Sequence, residues 1–320
     1  MKYSIITPVY NRADCVARCI DSVILNLKWN VEIEHIVVDD GSYDSTASIV
    51  QEYANNNSHI NFIKLDKNRG TNAARNTAIA VAKGEYCVIL DSDDYFVPEA
   101  ISYIDEAVSC GGYRHYCFAA DDMVEYYKSN SLINVKGASV LYYEDFLLEH
   151  IAGDFIHVIK TETLRRFPFD EQLRIYEGVF FKRFYREVGQ VLFTFKIVTI
   201  RERNRVDSVT RDVLLKDKET VRKGLKSKQL LVNWFENDLS KTEEGKKILF
   251  KTYLSILELV IILGEYREAK VCCRKISDLN YGKVPILFEL VIKVRAGWLY
   301  FFLRKLYVCV KFDLMKSKIL

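Results

Sequence analysis

Two glycine-rich signatures are missing from this 320-residue chain. Neither Gly-x-Gly-x-x-Gly nor the Walker pattern occurs, which disfavours a dinucleotide oxidoreductase and a P-loop kinase. The eight cysteines stand singly or as Cys272-Cys273, never as Cys-x-x-Cys, so neither zinc nor structural disulfides are expected. Cys15 and Cys19 share one helix face, as small buried residues would. A formal charge of +3 is too small to point to nucleic acid, and the N-terminal half has no basic patch with interleaved aromatics. Met1-Lys2-Tyr3 runs straight into a strand, without the charged and apolar regions of a secretory signal, so a cytoplasmic protein is expected. The most apolar stretch, Pro285 to Val310, falls short of the ~20 mostly apolar residues of a spanning helix, because Glu289, Lys293, Arg295, Arg304 and Lys305 interrupt it.

What is present is ample apolar material: 49% hydrophobic against 28% charged residues provides for a sizeable core, one domain plus an extension. Short β-branched runs recur, each ending in polar residues. Tyr3-Ser4-Ile5-Ile6 leads into Thr7-Pro8-Val9-Tyr10-Asn11-Arg12, and Glu34-His35-Ile36-Val37-Val38 into Asp39-Asp40-Gly41-Ser42. Asn68 to Asn76 forms a further loop and opens a small-residue helix through Ala82, closed by Lys83-Gly84. Tyr86 to Leu90 then delivers Asp91-Ser92-Asp93-Asp94. Four βα units thus bring polar loops to one edge of a parallel sheet, where α/β enzymes place ligands.

Asp91, Asp93 and Asp94 at the mouth of a buried strand would repel one another unless a positive group, most economically a divalent metal, sat between them. The plainer alternative is a turn and helix N-cap, with Pro98 in the first helical turn.

Ser4 to Arg12 (Ser-Ile-Ile-Thr-Pro-Val-Tyr-Asn-Arg), Val37 to Ser42 (Val-Val-Asp-Asp-Gly-Ser), Gly70 to Asn76 (Gly-Thr-Asn-Ala-Ala-Arg-Asn) and Asp91 to Asp94, in that order, resemble the family 2 glycosyltransferases of bacterial surface-polysaccharide type. The resemblance implies a GT-A fold, an α/β architecture with a Rossmann-like, mostly parallel sheet. It also implies inverting transfer of a sugar from a nucleotide-diphosphate donor. A UDP-sugar is favoured, with dTDP and GDP donors open, and the cofactor is Mn²⁺ or Mg²⁺. Carried over residue by residue, Asp40 resembles the acid that reads the nucleobase, Asp93 the metal ligand, and Asp91 the acid near ribose and metal. Thr7, Tyr10, Asn11, Arg69 and Arg75 lie in matching nucleotide-side motifs. The implied acceptor is a hydroxyl of a glycan or lipid-linked sugar.

Residues 1–97 read as the nucleotide-sugar half and 98–211 as the acceptor half of this domain. Strands are expected at Tyr116 to Ala120, Phe155 to Ile159 and Ile197 to Ile200, with helices around Tyr143 to His150 and from Val179 to Tyr185. His157 reads as a core histidine. Related enzymes commonly carry Glu-Asp where this chain has Glu177-Gly178, and there the Asp usually serves as base. Glycine accepts no proton, so Glu177 is the first candidate and Asp154 the second. Asp170 and Glu171 read equally well as solvated loop acids, and Glu177 also suits a helix N-terminus on charge grounds. Arg201 to Thr210 forms a basic loop in which Arg205 and Ser208 are candidate phosphate contacts, since Arg suits oxygen pairs. A solvated charge run is the alternative.

Residues 212–320 read as helical, with helices over Leu225 to Phe235, Lys246 to Leu263 and Tyr266 to Leu279 and no repeat motif. In the Pro285 to Val310 segment Glu289, Lys293, Gly297, Tyr300, Arg304 and Lys311 fall on one stripe, so it reads as an interfacial or docking helix. Its basic excess favours an anionic membrane surface, placing the protein on the inner face of the cell membrane. Two other readings remain: a nucleotide-sugar-binding protein disabled by Gly178, and a nucleotidyltransferase, whose usual Gly-, Arg- and Lys-containing loop is missing.

Overall fold

The computed structural model describes residues 2–29, 31–171, 173, 177–202 and 218–302. The chain divides into two compact units, Met1–Asp207 and Ser208–Leu320. In the first, β1 (Tyr3–Val9), α1 (Val16–Asn26), β2 (Ile33–Asp39), α2 (Thr46–Asn56), β3 (Ile60–Lys64), α3 (Thr71–Val81) and β4 (Tyr86–Ile89) alternate. They are followed by β5 (Tyr95–Phe96), α4 (Ala100–Cys110), β6 (His115–Ala119), α5 (Val124–Ser129), β7 (Ala138–Tyr142), α6 (Tyr143–Leu147), β8 (Ile156–Lys160), α7 (Thr161–Arg166), α8 (Glu177–Val188), β9 (Gln190–Ile197) and β10 (Thr199–Ile200).

Eight strands form one sheet in the order β3-β2-β1-β4-β8-β6-β9-β7. Only β8 and β7 run against the rest. Every residue of β1 and of β2 is buried, as befits central parallel strands covered on both faces. Alternation sorts their side chains: Ile5 joins Val23, Val88 and Ile104 on one face, while Ile6 joins Ile36, Ala78 and Phe184 on the other. The alanines of α3 let that helix lie close to the sheet, with Ala73 and Ala74 fully buried.

Several sequence expectations shift. The strand expected at Ile197 to Ile200 is split between the end of β9, which begins at Gln190, and β10, and β7 was not anticipated; the buried and exposed residues of β7 alternate, as at a sheet edge. Pro98 lies outside any helix, because β5 pairs antiparallel with β10 and α4 starts only at Ala100. The seven described cysteines are free thiols, with Cys15 and Cys19 buried.

The second unit contains α9 (Lys218–Leu239), α10 (Glu243–Leu263), α11 (Tyr266–Asp278) and α12 (Ile286–Val294). Thr242 caps α10 by accepting from the Gly245 N–H at 3.0 Å, and left-handed Gly264 ends it. The expected single helix from Pro285 onward stops at Val294, where Arg295 turns left-handed with φ 53°. Gly297 and Tyr300, expected on one helical stripe with Glu289 and Lys293, instead face inward: the Gly297 N–H donates to Tyr266 and the Tyr300 hydroxyl to Glu258, both at 2.9 Å. Beside exposed Glu289, Lys293 and Arg295, the exposed side chains include the apolar Ile286, Leu290, Val294, Trp298 and Phe302.

Gly84 closes the end of the sheet opposite the polar loops. Its N–H donates to Ser4 Oγ at 2.9 Å, its carbonyl accepts from Thr161 at 2.6 Å, and Ser4 in turn donates to Glu34. A Cβ there would lie 2.5 Å from the Ser4 nitrogen and 2.6 Å from the Tyr3 carbonyl carbon. Because both obstacles are backbone of a central strand, Gly84→Ala should cost about 1–3 kcal/mol in urea unfolding. A loss within ~0.5 kcal/mol, typical of surface substitutions, would show that the strand end yields.

Candidate active site

β1, β2, β4 and β6 run in one direction, so the segments leaving them share one edge of the sheet. The loop after β1 is tied to the loop after β2. The Asn11 N–H donates to Ser42 Oγ at 2.8 Å, Asn11 Oδ1 accepts from the Tyr43 N–H at 3.1 Å, and the Arg12 N–H donates to Thr46 at 2.7 Å. Asn11 adopts φ 50°, a conformation Asn tolerates better than most residues. The Tyr10 ring meets the exposed Tyr43 edge to face.

The two adjacent aspartates after β2 have separate tasks. Asp39 is fully buried and accepts from the Ser42 N–H and hydroxyl, closing its own turn. Asp40 reaches across to the next loop, accepting from the Arg69 N–H at 2.8 Å and the Gly70 N–H at 2.7 Å. That reach requires close contact of the loops: Gly41 has φ 74°, and a Cβ on it would lie 2.7 Å from the Lys67 carbonyl carbon. The Arg69 side chain turns to Glu171 at 2.8 Å, and Asn76 holds Phe169 through both its amide groups. Glu171 is therefore paired rather than merely solvated.

The acid loop after β4 is charge-balanced from two sides. Arg75, from the first turns of α3, reaches Asp91 at 2.9 Å while bonding Asn72 and lying over the Phe169 ring. Arg201, carried in by the β5–β10 pair, lies 3.6 Å from Asp94, 3.7 Å from Asp122 and 3.4 Å from Asp154. Its own N–H donates to Asp121. Arg18 donates to the Asp93 carbonyl, pairs with Glu202 and stacks on Tyr95. Two guanidinium groups thus supply part of the positive charge expected between these acids, while Asp91 and Asp93 still act against the ionisation of Asp94.

The carboxyls respond differently. Burial works to raise Asp91, but Arg75, with Arg201 and Arg12, outweighs it and holds this carboxyl below its ordinary value. Asp94 is pushed up to about 8, first by burial and then by the Asp91 charge, with Arg201 opposing.

Of the predicted site residues, Asp40, Arg69, Arg75, Asp91, Asp93 and Asp154 join one connected set of loops and ion pairs, with Tyr10 and Asn11 on the adjoining loop. Thr7 does not: it is fully buried, its hydroxyl 2.9 Å from His35 Nε2. Glu177 opens α8, but its side chain lies outside what the structure describes, as do Arg205 and Ser208. Arg201 was overlooked in favour of Arg205. Its position at the head of a basic run was visible, whereas the strand pairing that carries it to Asp94 was not.

Asp94 generates a pH prediction for the protein in chelator. Between its unfolded value near 4 and its folded value of about 8 the folded chain binds the extra proton, so this group makes stability fall as pH rises through that window. Asp94→Asn should flatten the fall in urea midpoints between about pH 5 and about pH 8. An unchanged slope would show that Asp94 does not titrate there.

The comparisons with known proteins agree with this geometry. The glucosyltransferase of Campylobacter jejuni that acts on GalNAc(5)-diNAcBac-PP-undecaprenol is 26% identical over 92% of this chain and 93% of its own length. The poly(ribitol-phosphate) beta-glucosyltransferase of Bacillus spizizenii is 41% identical over 32% of this chain, a match that spans only 16% of that protein. S. aureus TarS, solved with UDP-GlcNAc, is similar in fold with a TM-score of 0.56 at 19% identity over 88% of this chain and 89% of that one. The Pyrobaculum calidifontis mannosyltransferase PcManGT, solved with GDP-Man and Mn²⁺, gives 0.57 at 14% identity over 96% and 87%. These likenesses show a GT-A fold, and residues 4–170, the stretch holding the loops around Asp40 and Asp91, match the glycosyl transferase family 2, to which this chain belongs.

Proposed function

We propose that the protein is an inverting, metal-dependent glycosyltransferase. It moves a sugar from a nucleoside diphosphate donor, UDP-sugars foremost, to a hydroxyl of a glycan or lipid-linked acceptor in surface-polysaccharide synthesis. The observation that carries this reading is the convergence of the Asp40 loop and the Asp91-Ser92-Asp93-Asp94 loop at one sheet edge, bridged by Arg69 and Arg75. The named activities of the Campylobacter and Bacillus relatives, and the UDP-GlcNAc bound to TarS, support the donor and acceptor classes.

Hard carboxylate oxygens suit Mg²⁺ or Mn²⁺, which are commonly held by one or two protein carboxylates plus substrate phosphates. The loop fits that pattern. Asp91 gives one oxygen to Arg75 and stays 42% exposed, and Asp93 follows two residues later, half-buried. When bound there, the ion supplies positive charge to the departing diphosphate.

The chain's own residues do the rest. Asp40, 2% exposed with both oxygens fixed by backbone N–H groups, is assigned to the nucleobase side of the site, while Arg75 holds Asp91 in place. Glu177, at the head of α8, accepts the proton of the acceptor hydroxyl. The freed oxygen attacks the anomeric carbon from the face opposite the nucleotide, and the nucleoside diphosphate leaves with its bonding pair. One displacement inverts the centre, with no covalent enzyme intermediate. Asp154 is engaged by Arg201, which favours Glu177 over it as the base.

A donor panel assayed by nucleoside diphosphate release tests this. Release should require Mn²⁺ or Mg²⁺ and cease in Asp93→Ala, and Glu177→Gln should lower turnover by ~10²–10⁴-fold with donor affinity retained. Full turnover in excess chelator would refute the metal role; a dead Asp154→Asn beside an unimpaired Glu177→Gln would move the base to Asp154.

The second reading, a binder disabled by Gly178, has its own test. A Cβ on Gly178 would meet nothing within 4 Å, so Gly178→Asp fits and restores the family's usual acid. A variant that turns over where the natural chain does not would establish the disabled binder.

We also propose peripheral attachment to anionic membrane. None of the described helices is long and apolar enough to cross a bilayer. Yet Ile286 of α12 and Trp298 beyond its end are each 73% exposed, with Lys283, Lys293 and Arg295 also exposed in this segment. The protein should float with anionic but not neutral liposomes, and less so at high salt, because lipid charge is screened over ~8 Å at physiological ionic strength. Failure to float under every condition would remove the membrane from the scheme.

A further inference from the structure

A second set of metal-ligating side chains lies away from the carboxylate loops. In the β6–β8 pair, Cys117 stands directly opposite His157 and His115 opposite Ile159. Residues two apart on a strand share a face, so His115, Cys117 and His157 point to the same side of the sheet. His115 Nε2 is 3.0 Å from His157 Nδ1, and Cys117 Sγ is 3.6 Å and 3.5 Å from those two nitrogens. His115 and Cys117 are fully buried and His157 is 9% exposed.

Hydrogen bonding alone accounts poorly for this grouping. The two imidazoles share one proton between facing nitrogens, and whichever carries it, the far nitrogen of His115 is buried without a partner among the described residues. The thiol adds a third donor atom to the same small space. An ion with Zn–N bonds of about 2.05 Å and a Zn–S bond of about 2.3 Å sets tetrahedral N···S edges near 3.6 Å and an N···N edge near 3.3 Å. Both observed N···S distances match, and the N···N edge needs about 0.3 Å of opening.

We propose that His115 Nε2, Cys117 Sγ and His157 Nδ1 form a zinc site that clips β6 to β8 beneath helix α8. His₂Cys is a borderline-soft donor set, suited to zinc and unsuited to the Mg²⁺ or Mn²⁺ proposed for the carboxylate loop. Phe181 of α8 stacks on His157 at 4.0 Å between ring centroids, and Tyr185 stacks on His115 at 5.4 Å. The ion therefore fixes the two rings on which α8 rests. Burial keeps the empty site uncharged, with the imidazoles neutral and the thiol protonated. Binding would release two protons to solvent, one from the thiol and one from a water in the fourth position, so that zinc, thiolate and hydroxide together would carry no net charge.

The ligands are enclosed, so the ion must be present as the strands close. The full chain is produced in cobalt-supplemented minimal medium and desalted in chelator to strip the exposed carboxylate loop. Zinc and cobalt are then measured per chain, together with the near-ultraviolet absorption of a cobalt thiolate. About one equivalent of zinc plus cobalt should be retained, with a thiolate-to-cobalt band that carboxylate-bound cobalt does not give. Cys117→Ser should lose that band while keeping cooperative unfolding, and His157→Gln serves if the serine variant does not fold. No retained metal and no band in the unaltered chain would overturn the proposal. So would a band that survives Cys117→Ser, which would place the cobalt on another cysteine.

Discussion

Carboxylates gathered at the end of a buried strand are the constraint around which the first unit is arranged. A sheet edge that presents Asp91, Asp93 and Asp94 together concentrates negative charge where water is partly excluded, and the fold answers with fixed cations. Arg75 enters from the helix just before β4, and Arg201 from the far end of the unit. The second is the more telling. A single guanidinium 14% exposed stands between Asp94, Asp122 and Asp154. It thereby ties the segments after β4, after β6 and before β8 into one wall. Removing a buried cation from such a cluster leaves uncompensated charge, the situation in which broken ion pairs are costly.

This arrangement divides labour among residues that look equivalent in sequence. Asp39 and Asp40 are neighbours of one type, yet one closes its own turn and the other clamps the loop that leads into α3. Asp91 and Asp94 share a loop, yet Arg75 holds one low while burial and its neighbour drive the other up. A loop carrying both an ionised and a readily protonated carboxyl has fewer charges to balance than its sequence implies.

Much of the first unit was legible because its signals are local. β1, β2 and β4 are short β-branched runs ending in polar residues, and α3 is an alanine helix that follows a glycine. β7 was not legible, because a half-exposed edge strand containing Ala138 and Ser139 lacks a continuous apolar signal. Nor were Arg201 and the His115, Cys117 and His157 grouping. Each depends on strand pairing between residues far apart in the chain, and the cysteine rule that argued against zinc considers only spacing along one segment. In the second unit the reading of a polar stripe on one continuous helix failed at Arg295: the left-handed turn redirects the chain, so that Gly297 and Tyr300 pack inward and Trp298 faces out.

If the Asp91 loop and the Asp40 loop act as one metal-dependent nucleotide site, losing the ion and losing Asp91 must have the same effect on nucleotide affinity. The most direct measurement is calorimetric titration of the nucleoside diphosphate selected by the donor panel into three samples: the natural chain with Mn²⁺, the natural chain in chelator, and Asp91→Asn with Mn²⁺. Tight binding in the first, with the second and third weakened alike, is the expected result. Equal affinity in all three would contradict a site in which Asp91 and a divalent ion hold the diphosphate together.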